Sequence, residues 1–370
     1  MPARKAPREY QVGTVEKALD LLEAVETAAV PCGVQDLVRA TGIQRTAVYR
    51  LLSTLERRGY ILRLPDKTYS ATARRKRFTF GIVAPLSGNS FRDDLYRGLR
   101  EAATHARVEL LALDNAEGDS GAALQNAQQL IDRRVDVAVM FQPVGSVGHL
   151  VADRFAAAGI PMVAVEAPAS GAFYFGANNY QAGRLAGAAL GRFALERWAG
   201  SYDRIVLLES SLSSLTVYAR VTGVLEGLRQ VLGEVPESRT VHLDGRAHFE
   251  ESRASVAEML RKLPPKSRLL ISGFNDLAAL GALRALRDAG REEYAAVAGQ
   301  NATAESHAEL RNPSSRLIVS VAYFPERYGT KLVQLGISIA NREAVPPAVY
   351  TGHVLLTPDN IDQHYQPPRE

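Results

Sequence analysis

The chain has 370 residues but only one cysteine, Cys32, which excludes an internal disulfide framework and leaves a buried structural thiol as the expected role of that residue. Without a Cys/His cluster a zinc knuckle is excluded too, and the seven histidines are scattered, none at metal-ligand spacing. The sequence lacks a glycine-rich phosphate loop and a Gly-x-Ser-x-Gly nucleophile elbow, so neither a cofactor nor an enzymatic activity is expected. No uncharged apolar run approaches the ~20 residues of a bilayer span. The basic start, with Arg4, Lys5 and Arg8, is not followed by the ~7–15 apolar residues of a secretory signal. These absences point to a cytoplasmic protein with no membrane partner. Gly183, Gly187 and Gly191 form a small-residue helix face, but Arg184 and Arg192 lie within it, so close packing in a soluble core is the expected role.

What is present is an ordinary globular composition, 46% hydrophobic and 23% charged, with length for two or three domains. The charge is uneven. Residues 1–77 hold 15 Lys/Arg against 8 Asp/Glu, whereas the remaining 29 basic residues are outnumbered by 32 acidic ones. A basic head on a slightly acidic body suits a nucleic-acid-binding module joined to a second function, although charge alone equally fits a basic tail on an ordinary surface.

The head has the pattern of a winged helix-turn-helix over residues 1–72. A first helix is expected over Thr14–Val25, with Thr14 as its cap and Val15, Leu19 and Leu22 on its buried face beside Ala18 and Val25. A short helix, Val34–Ala40, ends before Gly42, and a third, Gln44–Arg58, buries Val48, Leu51, Leu52 and Leu55 and stops at Gly59. Tyr60–Leu64 and Thr68–Ala71, around Pro65-Asp66-Lys67, form a hairpin wing. Gln44, Arg45, Thr46, Tyr49 and Arg50 project from the start of the third helix, where side chains of a recognition helix reach base edges. Arg63 and Lys67 on the wing, with Arg57 and Arg58, are placed for phosphates. The stretch GVQDLVRATGIQRTAVYRLLSTLERRGYILRLPDKTYSAT resembles the amino-terminal winged helix of IclR-type bacterial regulators, with Thr41-Gly42, Arg50-Leu51-Leu52 and Gly59-Tyr60 in register. Ala47 stands where that family usually has a hydroxyl residue. The resemblance implies double-stranded operator DNA as partner. A basic linker at residues 73–77 follows, either lying along phosphate or serving as a solvated tether.

From residue 78 the chain alternates between short apolar strands and amphipathic helices. The strands Phe78–Ala84, Val108–Leu113, Val135–Phe141 and Pro161–Val165 make one series, and Arg204–Glu209, Thr240–Leu243, Leu269–Ser272, Ala295–Ala298 and Leu317–Val321 a second. Such alternation calls for α/β architecture with parallel sheets covered on both faces, here two Rossmann-like lobes. Ligands of these sheets bind beyond the carboxyl ends of the strands. The polar and aromatic residues there suit hydroxyl groups and the C–H face of a sugar ring.

The stretches FTFGIVAPLSGNSFRDDLYRGLREAA, ISGFNDLAALGALRAL and VYTGHVLLTPDNI resemble the type I periplasmic-binding-protein fold of ribose-binding proteins and LacI-type effector domains. The resemblance covers essentially residues 78–365 and implies an effector-binding domain over 78–370, with lobe one over 78–179 plus 324–352 and lobe two over 180–323 plus 353–370. It implies an effector site of Asn89, Phe91, Arg92, Gln142, Glu166, Arg220, Phe249, Asn275, Asn301 and Tyr323. Departures are Glu166-Ala167 for an Asp-Arg pair, Arg92 for a second Phe and Asn301 for an Asp. Arg92 in a stacking position would favour an effector with a carboxylate or phosphate. Together the two parts suggest a ligand-responsive transcriptional regulator, a homo-oligomer and most simply a dimer, whose effector is a sugar or sugar derivative. The linker is too short for the hinge helix of LacI-type proteins, so coupling to DNA would run directly through the dimer interface or head–body contacts. The body alone would also suit a solute receptor of a sugar transport system.

Overall fold

A computed structural model describes residues 12–28, 30–71, 78–116, 119–142, 144–211 and 214–367. They fall into two compact units, one within Met1–Arg77 and one within Phe78–Glu370. The basic linker at 73–77 and Thr72 before it lie outside the described residues.

The first unit is a winged helix-turn-helix: α1 (Gly13–Thr27), α2 (Val34–Thr41), α3 (Arg45–Arg57) and an antiparallel hairpin of β1 (Ile61–Arg63) and β2 (Tyr69–Ala71). Gly42 takes the left-handed conformation that ends α2 and returns its N–H to the Val38 carbonyl, as a Cβ-free cap allows. Cys32 pairs with Tyr69 and so extends the wing by one bridge, and its thiol is buried and pushed up in pKa by that burial and by nearby Asp36. The core is Leu21, Leu22, Val25, Leu37, Ile43, Val48, Leu52, Leu55, Ile61 and Tyr69. Two expectations for α1 need correction. The helix starts one residue earlier with no side-chain cap from Thr14, and its buried face runs through Leu21, Leu22 and Val25, leaving Val15 and Leu19 about half exposed. Two apolar stripes compete on this helix, and packing against α2, α3 and β2 selects the one carrying Leu21.

The second unit has two six-stranded sheets. In lobe one, β3 (Thr79–Ala84), β4 (Glu109–Asp114), β5 (Val137–Met140), β6 (Met162–Val165), β7 (Phe173–Ala177) and the late strand β13 (Ala348–Thr351) are all parallel, in the order β13-β7-β6-β5-β3-β4. The helices α4 (Ser90–Ala106), α5 (Ser120–Asp132), α6 (Gly145–Ala157) and α12 (Tyr328–Ala340) pack on it. Lobe two orders β14-β12-β11-β10-β8-β9, formed by β8 (Arg204–Glu209), β9 (Thr240–Asp244), β10 (Leu269–Gly273), β11 (Ala295–Asn301), β12 (Leu317–Ala322) and the antiparallel edge strand β14 (Val354–Leu356). Its helices are α7 (Asn179–Trp198), α8 (Ser214–Leu232), α9 (Phe249–Lys262), α10 (Asp276–Asp288) and α11 (Ala304–Arg311). The continuous burial of β3, β5, β6, β10 and β11 follows from helices on both faces. Strand β7, helix α12 and the pairing of β13 and β14 into different lobes are not evident from the alternation alone. They matter because the chain crosses between lobes at 177–179, 322–328 and 351–354.

The small-residue face of α7 presses directly on α8. A Cβ added at Gly183 or Gly187 would sit 2.1 or 2.0 Å from the carbonyl oxygens of Arg220 and Val224, and Gly223 and Gly227 receive α7 in return. This contact holds α8, and with it Arg220, against the end of the sheet. Gly187→Ala is therefore expected to destabilise the protein by about 1–3 kcal/mol through overpacking. Gly145→Ala, whose added Cβ meets nothing within 4 Å, should leave the midpoint no lower, both read by thermal unfolding followed by circular dichroism.

Candidate functional site

The carboxyl ends of both sheets face a cavity of about 180 Å³ between the lobes. Lobe one contributes Gly88, Asn89, Phe91 and Arg92 from the loop and first turn of α4, Phe141 after β5, and Glu166-Ala167 after β6. Lobe two contributes Ser210 after β8, Arg246-Ala247-His248 after β9, Phe274 to Leu277 after β10, Asn301 at the end of β11 and Thr303 beyond it, Arg220 and Thr216 from α8, and Glu305 from α11. Four of these, Glu166, Arg246, Ala247 and Asn301, hold positive φ angles of 60°, 50°, 61° and 100°. Non-glycine residues in that region cost free energy, so these loops carry backbone strain where they border the cavity.

The floor of the cavity is charged, buried and internally satisfied. The Arg220 guanidinium, 6% exposed, donates from Nε to Asn179 Oδ1 (2.7 Å) and from Nη1 to the Phe274 carbonyl (2.6 Å). It lies over the Phe274 ring at 4.3 Å and the Tyr323 ring at 5.2 Å. Glu166 Oε1 accepts from the Ala177 N–H (3.0 Å) and the Tyr328 hydroxyl (2.6 Å); burial pushes this carboxyl up, against the pull of Tyr328 and Arg220. Asp276 accepts from Ser320 Oγ (2.6 Å) and the Thr303 N–H (2.6 Å). Asn89 and Asn275 are turned to backbone work, capping α4 through the Arg92 N–H and α10 through the Ala278 N–H. Arg246, His248 and Glu305 are exposed and form the rim.

Seven of the ten residues expected from sequence line the cavity: Asn89, Phe91, Arg92, Glu166, Arg220, Asn275 and Asn301. Gln142, Phe249 and Tyr323 do not. Phe141 and Gln142 both follow the end of β5, and there Phe141 lines the cavity while Gln142 is buried and accepts from the Val144 N–H. Phe249 opens α9 one residue beyond His248, which is the residue that reaches the rim. Tyr323 is buried behind Arg220 and donates its hydroxyl to Gln300. The residues missed by the sequence reading, Phe274, Thr303, Ser210 and Arg246 among them, follow strands β8 to β11, where the carboxyl-end rule applied to every strand would have found them.

In the first unit, Gln44 precedes the first residue of α3, with no side-chain cap, and Arg45, Thr46, Tyr49 and Arg50 follow in its first two turns, all exposed, with Arg45 over the Tyr49 ring at 5.9 Å. Arg63 and Lys67 are exposed on the wing, Lys67 in the left-handed conformation at its tip. Among the described residues there is no group of three or more His, Cys, Asp or Glu able to hold a metal ion, and no helix long and apolar enough to cross a membrane.

Burial pushes the Asp276 carboxyl up to about 6, although four hydrogen-bond donors oppose the shift. Its folded pKa lies above the ordinary value near ~3.9, so ionisation disfavours the folded state: the penalty is absent below about pH 4 and complete above about pH 6. Raising the pH from 4 to 7 is expected to lower the stability of the wild type relative to Asp276→Asn by roughly 2–3 kcal/mol, measured by denaturant unfolding at each pH.

Residues 14–65 match the IclR helix-turn-helix domain and residues 80–344 match the periplasmic binding protein domain. No curated protein matches the chain. Among solved structures, a solute-binding protein of an ABC transporter from Bacillus halodurans with bound myo-inositol superposes at a TM-score of 0.67 and 19% identity, over 79% of this chain and 99% of its own. A periplasmic solute-binding protein from Actinobacillus succinogenes with bound D-allose gives 0.66 and 15%, over 78% and 100%. One from Agrobacterium vitis with bound allitol gives 0.67 and 19%, over 77% and 97%. At these identities the likeness is one of fold. Both matched families are built for binding rather than catalysis, and with most of its length inside the second match, the chain belongs to the periplasmic binding protein domain family and carries an IclR-type helix-turn-helix at its head.

Proposed function

We propose that the protein is a DNA-binding transcriptional regulator that responds to a small effector, a sugar or sugar derivative held between the two lobes. The observation that carries this reading is the union, in one chain, of a winged helix with an exposed recognition face and a two-lobed unit with a polar, aromatic-edged cavity. Asn89, Phe91, Arg92, Glu166, Arg220, Asn275 and Asn301 are the proposed effector contacts, joined by Phe141 and Phe274 as ring-packing faces. Tyr323 belongs to this set indirectly, by holding Arg220. Half-buried amides beside the buried charges of Glu166 and Arg220 suit hydroxyl recognition, and Arg92 adds a cation that suits a carboxylate or phosphate on the effector.

Gln44, Arg45, Thr46, Tyr49 and Arg50 are the proposed base-reading residues, with Arg63 and Lys67 as phosphate contacts. A single helix-turn-helix buries little surface, so the active species is proposed to be a homodimer on a two-fold operator in the cytoplasm. The effector alters operator affinity to the extent that it binds the two arrangements of the protein differently. The neighbouring folds belong to transport receptors, but a transport role would leave the winged helix without a task. Both matched families are binding domains, and the protein is proposed to bind its effector without transforming it.

Mobility shift on duplex DNA from upstream of the chain's own coding region, across a panel of sugars and sugar acids, tests the whole reading. Arg50→Ala is expected to weaken specific binding by about 1–3 kcal/mol, and Lys67→Ala to weaken all duplexes alike and reduce the salt slope by about 1. Absence of duplex binding at low ionic strength overturns the regulator reading. In the second unit, Arg220→Ala should abolish the sugar-induced rise in melting temperature and the sugar response of the DNA complex, while DNA binding without sugar is retained.

A further inference from the structure

At the rim of the cavity the first turn of α4, in lobe one, meets the first turn of α11, in lobe two. Ser90 donates its backbone N–H to Glu305 Oε1 (3.3 Å) and its hydroxyl to Glu305 Oε2 (2.5 Å). Glu305 both lines the cavity and is exposed, so this contact stands where the cavity opens to solvent. The Ser90 N–H is one of the orphan donors of the α4 N-terminus, and a carboxylate there is favoured by the helix dipole as well as by the two hydrogen bonds. Burial works against ionisation of Glu305, yet the Ser90 and Thr303 hydrogen bonds hold its carboxyl below the usual range. Its two ends belong to different lobes, so this interaction exists only when the lobes are together, and its free energy falls entirely on that arrangement.

We propose that Ser90 and Glu305 form an interlobe clasp that biases the cleft toward closure and thereby acts as a positioning pair for the effector. The proposal deepens the cleft reading above and rests on it only for the effector arm of the test. Closure is measured without any effector, on the full chain, by pulsed electron paramagnetic resonance between spin labels at Glu101→Cys and Glu251→Cys, both exposed and one in each lobe. The native thiol is removed by Cys32→Ala in this background, so that only the two introduced cysteines take label.

Glu305→Ala is expected to move the ratio of short to long distances about threefold toward long, the scale of losing solvent-screened charge-assisted hydrogen bonds. Glu305→Gln and Ser90→Ala each keep part of the contact and should fall between. A distance distribution unchanged by Glu305→Ala overturns the clasp. In the effector arm, isothermal titration uses D-allose, myo-inositol and allitol. For whichever binds the wild type, Glu305→Ala should weaken affinity by a similar factor. Equal affinities in the two proteins also overturn the clasp. Distances that respond while none of the three sugars binds uphold the clasp and count against sugar sensing instead.

Discussion

A buried carboxylate with shared hydrogen bonds holds the three crossovers of the two-lobed unit in one place. Glu166, at the end of β6, accepts from Ala177 in the first crossover and from Tyr328 after the second, and the Tyr328 hydroxyl lies 3.4 Å from Thr351 Oγ1 at the third. A second link runs beside it: the Asn178 N–H donates to His353 Nε2 (3.1 Å), and the His353 ring packs on Tyr323 at 4.9 Å. Burying an acid is costly unless every lone pair finds a donor, so these partners have little freedom to move independently. Gly176 has a matching constraint. A Cβ there would sit 2.8 Å from Glu166 Oε1, at a φ of 156°. The cavity inherits its shape from this knot, because Glu166 also lines it.

The cavity is layered by exposure. Arg220, Glu166 and Asp276 at its floor are buried and engaged with protein groups, so their orientation is set before any guest arrives, which lowers the ordering cost of binding. The Arg220 charge is spread over two aromatic faces and two neutral acceptors rather than quenched by a contacting carboxylate. Such a cation stays available to hydroxyl or anionic oxygen. Arg246, His248 and Glu305 at the rim are exposed, and their interactions are screened by solvent accordingly. Tight α7–α8 packing supports the floor, since it anchors Arg220 on one helix and its Asn179 acceptor on the other.

Legibility differed between the two units for a physical reason. In the winged helix, helix-ending Gly42 and Gly59 and the Pro65-Asp66-Lys67 turn are local signals, and α2, α3 and the wing stand where those signals place them. The face of α1 is a tertiary matter: Val15-Leu19-Leu22 and Leu21-Leu22-Val25 are both valid helical stripes, and only the neighbours decide. In the two-lobed unit the strand–helix alternation was readable because buried parallel strands are continuously apolar. Strand β7, with Tyr174 and Gly176 in it, and helix α12 escaped because their roles come from pairing with β13 and packing on α4.

By itself the sequence determined the class of each unit, the positions of most elements and the loops in which the polar residues of the cleft reside, because periodicity, caps and turns are encoded within a few neighbouring residues. Tertiary structure decided which member of an adjacent pair faces the cleft, Phe141 over Gln142 and His248 over Phe249, and turned Tyr323 into a support for Arg220. It also decided that Ser90 and Glu305, 215 residues apart in the chain, share two hydrogen bonds. Those outcomes depend on how two sheets meet across three crossovers, a relation between distant segments that no local pattern carries.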